Sequence, residues 1–188
     1  MAEERLRWGL VSTARINSHL IPGIQRVRRG ELVAVASRDQ SRADAYAEEW
    51  GIPRAYGSYE KLLEDREVDV AYISLPNALH HDWVIESAQA GKHVLCEKPM
   101  ALSEEQCRAM IQAADGAGVV LSEAYMYRYH PLTERVRELV DEGRLGEVRL
   151  VRLALTYSIE REDDVRLSAG LGGGSLWDIG CYGVSISR

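Results

Sequence analysis

Five absences bound this chain before any motif is read. Its 188 residues carry only three cysteines, Cys96, Cys107 and Cys181, with no C-x-x-C pair and no even set for a disulfide framework. Reduced, mostly buried thiols in a cytoplasmic protein are therefore the expected state. The five histidines lack H-x-x-x-H or Cys/His spacing, so no metal site is expected. No apolar run approaches the roughly 18–20 residues of a membrane span. The start, Met1-Ala2-Glu3-Glu4-Arg5-Leu6-Arg7, lacks the charged-then-apolar layout of a secretory signal. There is no lysine or arginine block, and the net charge of −6 argues against nucleic acid or an anionic membrane as partner. A small anionic ligand could still find a local basic site.

What is present, at 46% apolar residues, is enough for one full core, or for one domain and part of another. Strands and helices alternate along the first two thirds. Arg7 to Ser12 reads as a first strand, followed by a helix with Ile16, Leu20, Ile24 and Val27 on one face. Pro22 should kink that helix or end its regular part. Glu31 to Ser37 is a second strand, almost wholly apolar, as a strand covered on both faces should be. Ser41 is the expected cap of a helix that runs to Trp50 and stops at Gly51. A minimal strand at Ala55-Tyr56, a short helix opened by Ser58 and a strand from Val68 to Ser74 follow. A helix from about His80 to Ala90 leads into the strand His93 to Cys96. Ser103-Glu104-Glu105-Gln106 resembles a capping box, with Cys107, Met110, Ile111 and Ala114 on the face behind it, and Val119 to Leu121 is a sixth strand.

This rhythm predicts an α/β fold, a Rossmann-type doubly wound parallel sheet with right-handed crossovers, over residues 1–123. It breaks after Glu123. Residues 124–188 read as a connecting helix, from Leu132 to about Glu142, and the beginning of a second domain. Val136, Leu139 and Val140 share one side of that helix, and Glu147 to Tyr157 alternates in part as an antiparallel strand would. One long strand needs partners, and nothing downstream supplies them, so the second domain reads as incomplete.

Polar residues gather where these strands end. In open α/β sheets ligands bind at the carboxyl edge. Behind the first strand, the fingerprint positions read Ser12-Thr13-Ala14-Arg15-Ile16-Asn17, with no glycine in its three slots. Small residues at 12 and 14 still allow a phosphate close to the backbone, provided neither needs a positive φ. Ser37-Arg38 ends the second strand where an acidic residue would accept the ribose hydroxyls of NAD. Arginine's planar fork suits a 2′-phosphate instead, favouring NADP over NAD. Leu75-Pro76-Asn77, with His80, follows the fourth strand; these residues either line a cofactor or turn the chain and cap the next helix. His81 has no visible partner and reads as structural. Glu97-Lys98-Pro99 ends the fifth strand, and proline holds Lys98 in a turn. Further on, Asp178 and Tyr182 are four apart and share a face if their segment is helical. Tyr125 to His130 interleaves aromatic and basic groups, either as a cleft wall or as interface packing.

These segments carry a resemblance. Arg7-Trp8-Gly9 with Thr13-Ala14-Arg15-Ile16, Tyr72 to Asn77 with His80, Ala90 to Pro99, Glu123 to Arg128, and Gly173-Gly174 followed by Asp178-Ile179-Gly180 are similar to the glucose-fructose oxidoreductase / inositol dehydrogenase / rhizopine-catabolism (Gfo/Idh/MocA) oxidoreductase family. The resemblance runs from end to end of the chain and implies an NAD(P)-binding Rossmann domain followed by the start of an α+β domain with an open antiparallel sheet. It implies hydride transfer between nicotinamide and a sugar, polyol or diol, with a small-molecule substrate and association into a homo-oligomer. Lys98 falls at the family's catalytic lysine, before a Lys98–Pro99 bond that resembles a cis one; cis costs X–Pro only about 0.5–1 kcal/mol. Asp178 falls at the motif aspartate. Tyr182 replaces a histidine found in many members, as in the dihydrodiol and xylose dehydrogenase branch, where tyrosine is the acid/base. Cofactor contacts are implied for Ser12 to Ile16, for Ser37 and Arg38, for Leu75, Pro76, Asn77 and His80, and for Glu97, Lys98 and Arg128. Ser12 and Asn17 depart from the pattern.

Electrostatics supports pairing the lysine with the tyrosine. An ammonium about 4 Å from a phenol, at an effective dielectric of ~20, favours phenolate by up to roughly 4 kcal/mol, or about 3 pKa units. A helix dipole supplies about 0.3–1 kcal/mol, too little alone. Two rival readings stay open on sequence: a dinucleotide-binding sensor of the same fold, and a cofactor-binding piece without turnover, since a lone strand leaves an unpaired edge.

Overall fold

The computed structural model describes residues 5–188, so part of the start discussed above, residues 1–4, lies outside the described residues. The chain divides into two compact units, Met1–Glu123 and Ala124–Arg188.

The first unit is one six-stranded sheet, β1 (Leu6–Val11), β2 (Gly30–Ala36), β3 (Arg54–Tyr56), β4 (Val70–Ile73), β5 (His93–Cys96) and β6 (Leu121–Glu123), in the order β3-β2-β1-β4-β5-β6. Every pairing is parallel. The order reverses between β1 and β4, the point at whose carboxyl side open α/β sheets bind ligands. Five helices cover the sheet: α1 (Asn17–Arg26), α2 (Gln40–Trp50), α3 (Tyr59–Glu64), α4 (His80–Gln89) and α5 (Glu104–Ala117). Successive strand residues serve opposite faces. Leu10, Val35 and Tyr72 pack with Ile21 and Ile24 of α1, whereas Val11, Ala36, Ile73 and Cys96 pack with Leu62, Val84 and Met110 of α3, α4 and α5.

Local differences from the sequence pattern have physical causes. The buried face of α1 is Asn17, Ile21 and Ile24, while Val27 is exposed. Pro22 stays inside α1, which runs on to Arg26. Burying Ile21 and Ile24, at about 1.5–3 kcal/mol each, offsets the roughly 3 kcal/mol cost of an interior proline. The cap of α2 is Asp39 rather than Ser41. The Asp39 carboxylate accepts the Arg42 N–H at 2.9 Å and the Ser41 hydroxyl at 2.5 Å. In α5 Ile111 is exposed, and Met110 and Ala114 carry the burial. Sheet β6 begins two residues later than the apolar run, because the Val119 N–H closes α5 on the Ala114 carbonyl at 3.0 Å. The Val120 N–H then turns to His93 Nδ1 at 3.0 Å.

In the second unit, α6 (Pro131–Asp141) is capped by the His130 ring, which accepts the Leu132 N–H at 3.1 Å. A π-helical turn, Leu176–Gly180, runs into α7 (Cys181–Ser187). Residues 147–157, expected as a strand, form none and are largely exposed. A strand's backbone groups need a partner edge, and among the described residues this segment has none.

Candidate cofactor and catalytic site

Four strand ends share the carboxyl edge of the sheet. Behind β1, Ser12 takes a φ of 129°, in the region that favours glycine. The condition on residue 12 is therefore not met, and side chains compensate. Asn17 Nδ2 donates to the Ser12 carbonyl at 2.9 Å, and the Ser74 hydroxyl, beyond β4, donates to Asn17 Oδ1 at 2.7 Å. The two serine hydroxyls lie 2.8 Å apart, and the Ala14 N–H donates to Ser12 Oγ at 3.1 Å. Ser12, Asn17 and Ser74 are all buried. Arg15 is exposed at the mouth of α1, and Thr13, Ala14 and Ile16 are half-buried.

Beyond β2, Ser37 is buried, its N–H on the Tyr56 carbonyl at 2.9 Å, and Arg38 is exposed. The adjacent carboxylate is already engaged as the α2 cap, and the Ser41 hydroxyl followed by the Arg42 N–H hold Asp39 below the usual carboxylate range. Arg42, in the first turn of α2, was not among the candidates read from the sequence. Burial pushes the Tyr59 phenol up, and the charges of Arg38 and Arg42 pull it back. Both guanidinium groups thus act on one place beside β2.

Beyond β4, Leu75 is buried and Pro76 precedes a single 3₁₀ turn, Asn77–Leu79, with Asn77 half-buried. His80 has no exposed surface. Its Nδ1 lies 2.8 Å from the Pro99 carbonyl and its Nε2 2.9 Å from the Leu75 carbonyl. It ties the β4 loop to the β5 turn. Burial pushes its pKa down, against the pull of the Pro99, Leu75 and Met100 backbone and of Glu97.

Beyond β5, the Lys98–Pro99 bond is cis. Glu97 is half-buried. Its Oε1 accepts the buried Tyr72 hydroxyl at 2.6 Å, and its Oε2 accepts the Lys98 N–H at 3.3 Å. Burial, then the charge of Glu97, push the Tyr72 phenol far up, so Tyr72 remains a donor at any working pH. The Met100 N–H donates to Glu123 Oε1 at 2.8 Å, fixing the far side of the turn. Lys98 stands half-buried in this frame. Tyr72, Ser74 and Glu123 all lie inside sequence motifs already singled out. Their signal was available, but their backbone role was not.

In the second unit, Asp178 sits in the π-helical turn, accepts the Tyr157 hydroxyl and faces Arg166 Nε at 3.5 Å. These groups line a cavity of about 360 Å³ with Gly173 and Gly174. Tyr182, in α7, packs edge-on against Tyr125 with centroids 5.4 Å apart and tilted against Tyr127 at 6.0 Å. Arg128 lies over the Tyr125 ring at 5.2 Å and donates to Ser185 Oγ at 2.9 Å. Asp178 and Tyr182 share a face on the condition that their segment is one regular helix. The π-helical turn carries Asp178 and the α-helix carries Tyr182, which changes the angle between them. The larger cavity, of about 810 Å³ along α3 and α4, contains none of these residues. Among the described residues, no group of three or more His, Cys, Asp or Glu is arranged to hold a metal ion. No helix among them is long and apolar enough to cross a membrane.

Strand order and edge define a doubly wound α/β protein of the Rossmann class. The chain belongs to the Gfo/Idh/MocA oxidoreductase family with NAD-binding Rossmann fold, matched over residues 6–125, and the family's C-terminal domain matches residues 133–188. It is 48% identical over 185 residues to a D-xylose 1-dehydrogenase (NADP(+)) of Haloferax volcanii, covering 97% of this chain and 56% of that protein. It is 38% identical to a trans-1,2-dihydrobenzene-1,2-diol dehydrogenase of Xenopus laevis, covering 96% and 55%. A 3-ketoreductase of Actinomadura kijaniata, solved with NADP and TDP-benzene, superposes with a TM-score of 0.89 at 35% identity, covering 95% and 55%. That reductase has also been solved with a lysine or a tyrosine replaced. The chain spans about half the length of the curated relatives it matches.

Proposed function

We propose that this chain serves an NADP-dependent oxidoreductase acting on a sugar, polyol or diol. The observation that carries the reading is Lys98, in a turn whose neighbours Glu97 and Pro99 are fixed by Tyr72 and His80, at the carboxyl edge that also bears the β1–α1 turn. Preference for NADP over NAD rests on the β2 end. Arg38 and Arg42 are exposed there, and the nearby Asp39 carboxylate is engaged by backbone and Ser41, so a 2′-phosphate fits where a ribose hydroxyl would find no free acid. The bound cofactor would supply or accept the hydride.

The chain's own groups would do the rest. Thr13, Ala14, Arg15 and Ile16 would hold the pyrophosphate at the mouth of α1, with Ser12 shaping the turn. Ser37 and Arg38 would take the adenosine end, and Leu75, Pro76, Asn77, Glu97, Lys98 and Arg128 the remainder. Tyr182 would exchange the substrate's hydroxyl proton, and the positive charge of Lys98 would favour its phenolate. Asp178, which binds Tyr157 and Arg166, would hold the segment ahead of α7. The dehydrogenase names of the relatives support a small-molecule sugar or diol as substrate. The three free thiols are compatible with a cytoplasmic setting and, by family resemblance, copies of the chain would associate.

An NADPH fluorescence titration with a turnover screen over aldoses and diols tests the reading. The expected result is saturable NADPH binding, tighter than NADH, with oxidation or reduction of at least one aldose or diol. Lys98→Met and Tyr182→Phe should each lower turnover at least ~10²-fold, the scale of positioned acid–base catalysis, while NADPH still binds. Full activity in either variant would overturn those roles. Binding without turnover is the second reading, favoured by the unpaired segment 147–157. Absence of binding would remove both.

A further inference from the structure

The β1–α1 turn occupies a glycine conformation without glycine, and three buried side chains close around it. Ser74 spends its single hydroxyl hydrogen on Asn17 Oδ1 at 2.7 Å. Its Oγ can then only accept, so the Ser12 hydroxyl, 2.8 Å away, is the donor, with the Ser74 carbonyl at 3.1 Å as its alternative. Ser12 Oγ in turn accepts the Ala14 N–H at 3.1 Å, and Asn17 Nδ2 closes the ring on the Ser12 carbonyl at 2.9 Å. Each donor has an acceptor and the direction is determined. Ser12 follows β1 and Ser74 follows β4, the two strands between which the sheet order reverses. The ring therefore joins the carboxyl ends of β1 and β4 at the switch point.

We propose that Ser12, Asn17 and Ser74 form a positioning ring that substitutes for the fingerprint glycines and makes the shape of the pyrophosphate turn depend on the end of β4. The inference rests on the reading that this turn holds a dinucleotide. A glycine reaches a φ of 129° unaided, whereas serine there is strained and must be held by its surroundings. Loss of Ser74 should thus matter only while residue 12 is serine. None of the three side chains need touch the cofactor for this dependence to exist, and two of them, Asn17 and Ser74, lie outside the family's implied contacts.

The test is a double-mutant cycle on the full chain with two readouts, NADPH affinity by fluorescence and the urea midpoint. Ser74→Ala should weaken NADPH binding about tenfold in the Ser12 background and less than about twofold in the Ser12→Gly background, because glycine removes the need for the ring. Asn17→Ala should follow the same pattern. Equal losses in both backgrounds, or no loss in either, would overturn the ring. If the parent chain binds no NADPH, the proposed function fails, and the urea midpoints alone decide the ring: non-additive losses support it and additive ones overturn it. Should Ser74→Ala not fold, Ser74→Cys, a weaker donor of similar size, is measured in the same cycle, with the same two outcomes.

Discussion

At the scale of single residues, His80 shows how a polar group at a ligand edge becomes part of the frame. Two carbonyls face its two ring nitrogens, yet a neutral imidazole offers one N–H. Burial disfavours the cation and is the larger influence, so the folded-state pKa lies below the ordinary ~6.5. As pH falls through ~6.5 the unfolded chain takes up a proton before the folded one does, so stability declines from there until the folded-state pKa is passed. The urea midpoint should therefore drop between pH 7.5 and 5.5, and His80→Gln should flatten that dependence. At pH 7.5, His80→Ala should cost roughly 2–4 kcal/mol, since it leaves a cavity and takes away the one N–H that the two carbonyls have to share. An unchanged midpoint would refute the clasp. The sequence showed the histidine beside a proline-bounded strand end. It did not show that Pro99, 19 residues away, would be its partner, because that contact exists only once β4 and β5 lie side by side.

Among elements, the helix ends were the most legible features, because capping is a local matter. Ser58, Ser103 and Gly51 do what their residue types suggest. The reach of the box at α5 is one residue longer than expected: Gln106 accepts the Leu102 N–H at 3.0 Å rather than that of Ser103. Ser103→Ala should lower stability by about 1 kcal/mol in urea melts. Gly118 ends α5 at a φ of +67°, and a Cβ there would meet nothing within 4 Å. Gly118→Ala should thus cost about 1–2 kcal/mol purely from backbone conformation. A neutral result would show that the turn can relax. Apolar runs were less reliable guides to strand limits. Val119 and Val120 look like strand residues, yet their N–H groups close a helix and cap a histidine ring. The cap of α2 was misread for a related reason, since aspartate and serine two residues apart are both good acceptors and only geometry chooses between them.

On the scale of the whole molecule, the two units differ in how their apolar groups are housed. The first unit buries its strands on both faces. In the second, Val148, Leu150, Leu153 and Leu155 are about half exposed or more, and among the described residues no strand pairs with them. Unprotected backbone is where proteases cut. Limited proteolysis should nick residues 147–163 first and leave a resistant piece ending near Glu123. Cleavage beginning within β2 or β4 would contradict that picture.

By itself the sequence determined the alternation of strands and helices, the carboxyl-edge placement of Lys98 and the small residues of the β1–α1 turn. Those properties follow from periodicity and local chemistry, which are written along the chain. Only the tertiary structure decided that Ser12 would adopt a glycine's φ, that Asn17 and Ser74 would hold it there, that Tyr72 would anchor Glu97, and that His80 would face inward. Each of these joins residues from different strand ends, and a polar group's partner is set by which strands become neighbours rather than by its place in the sequence.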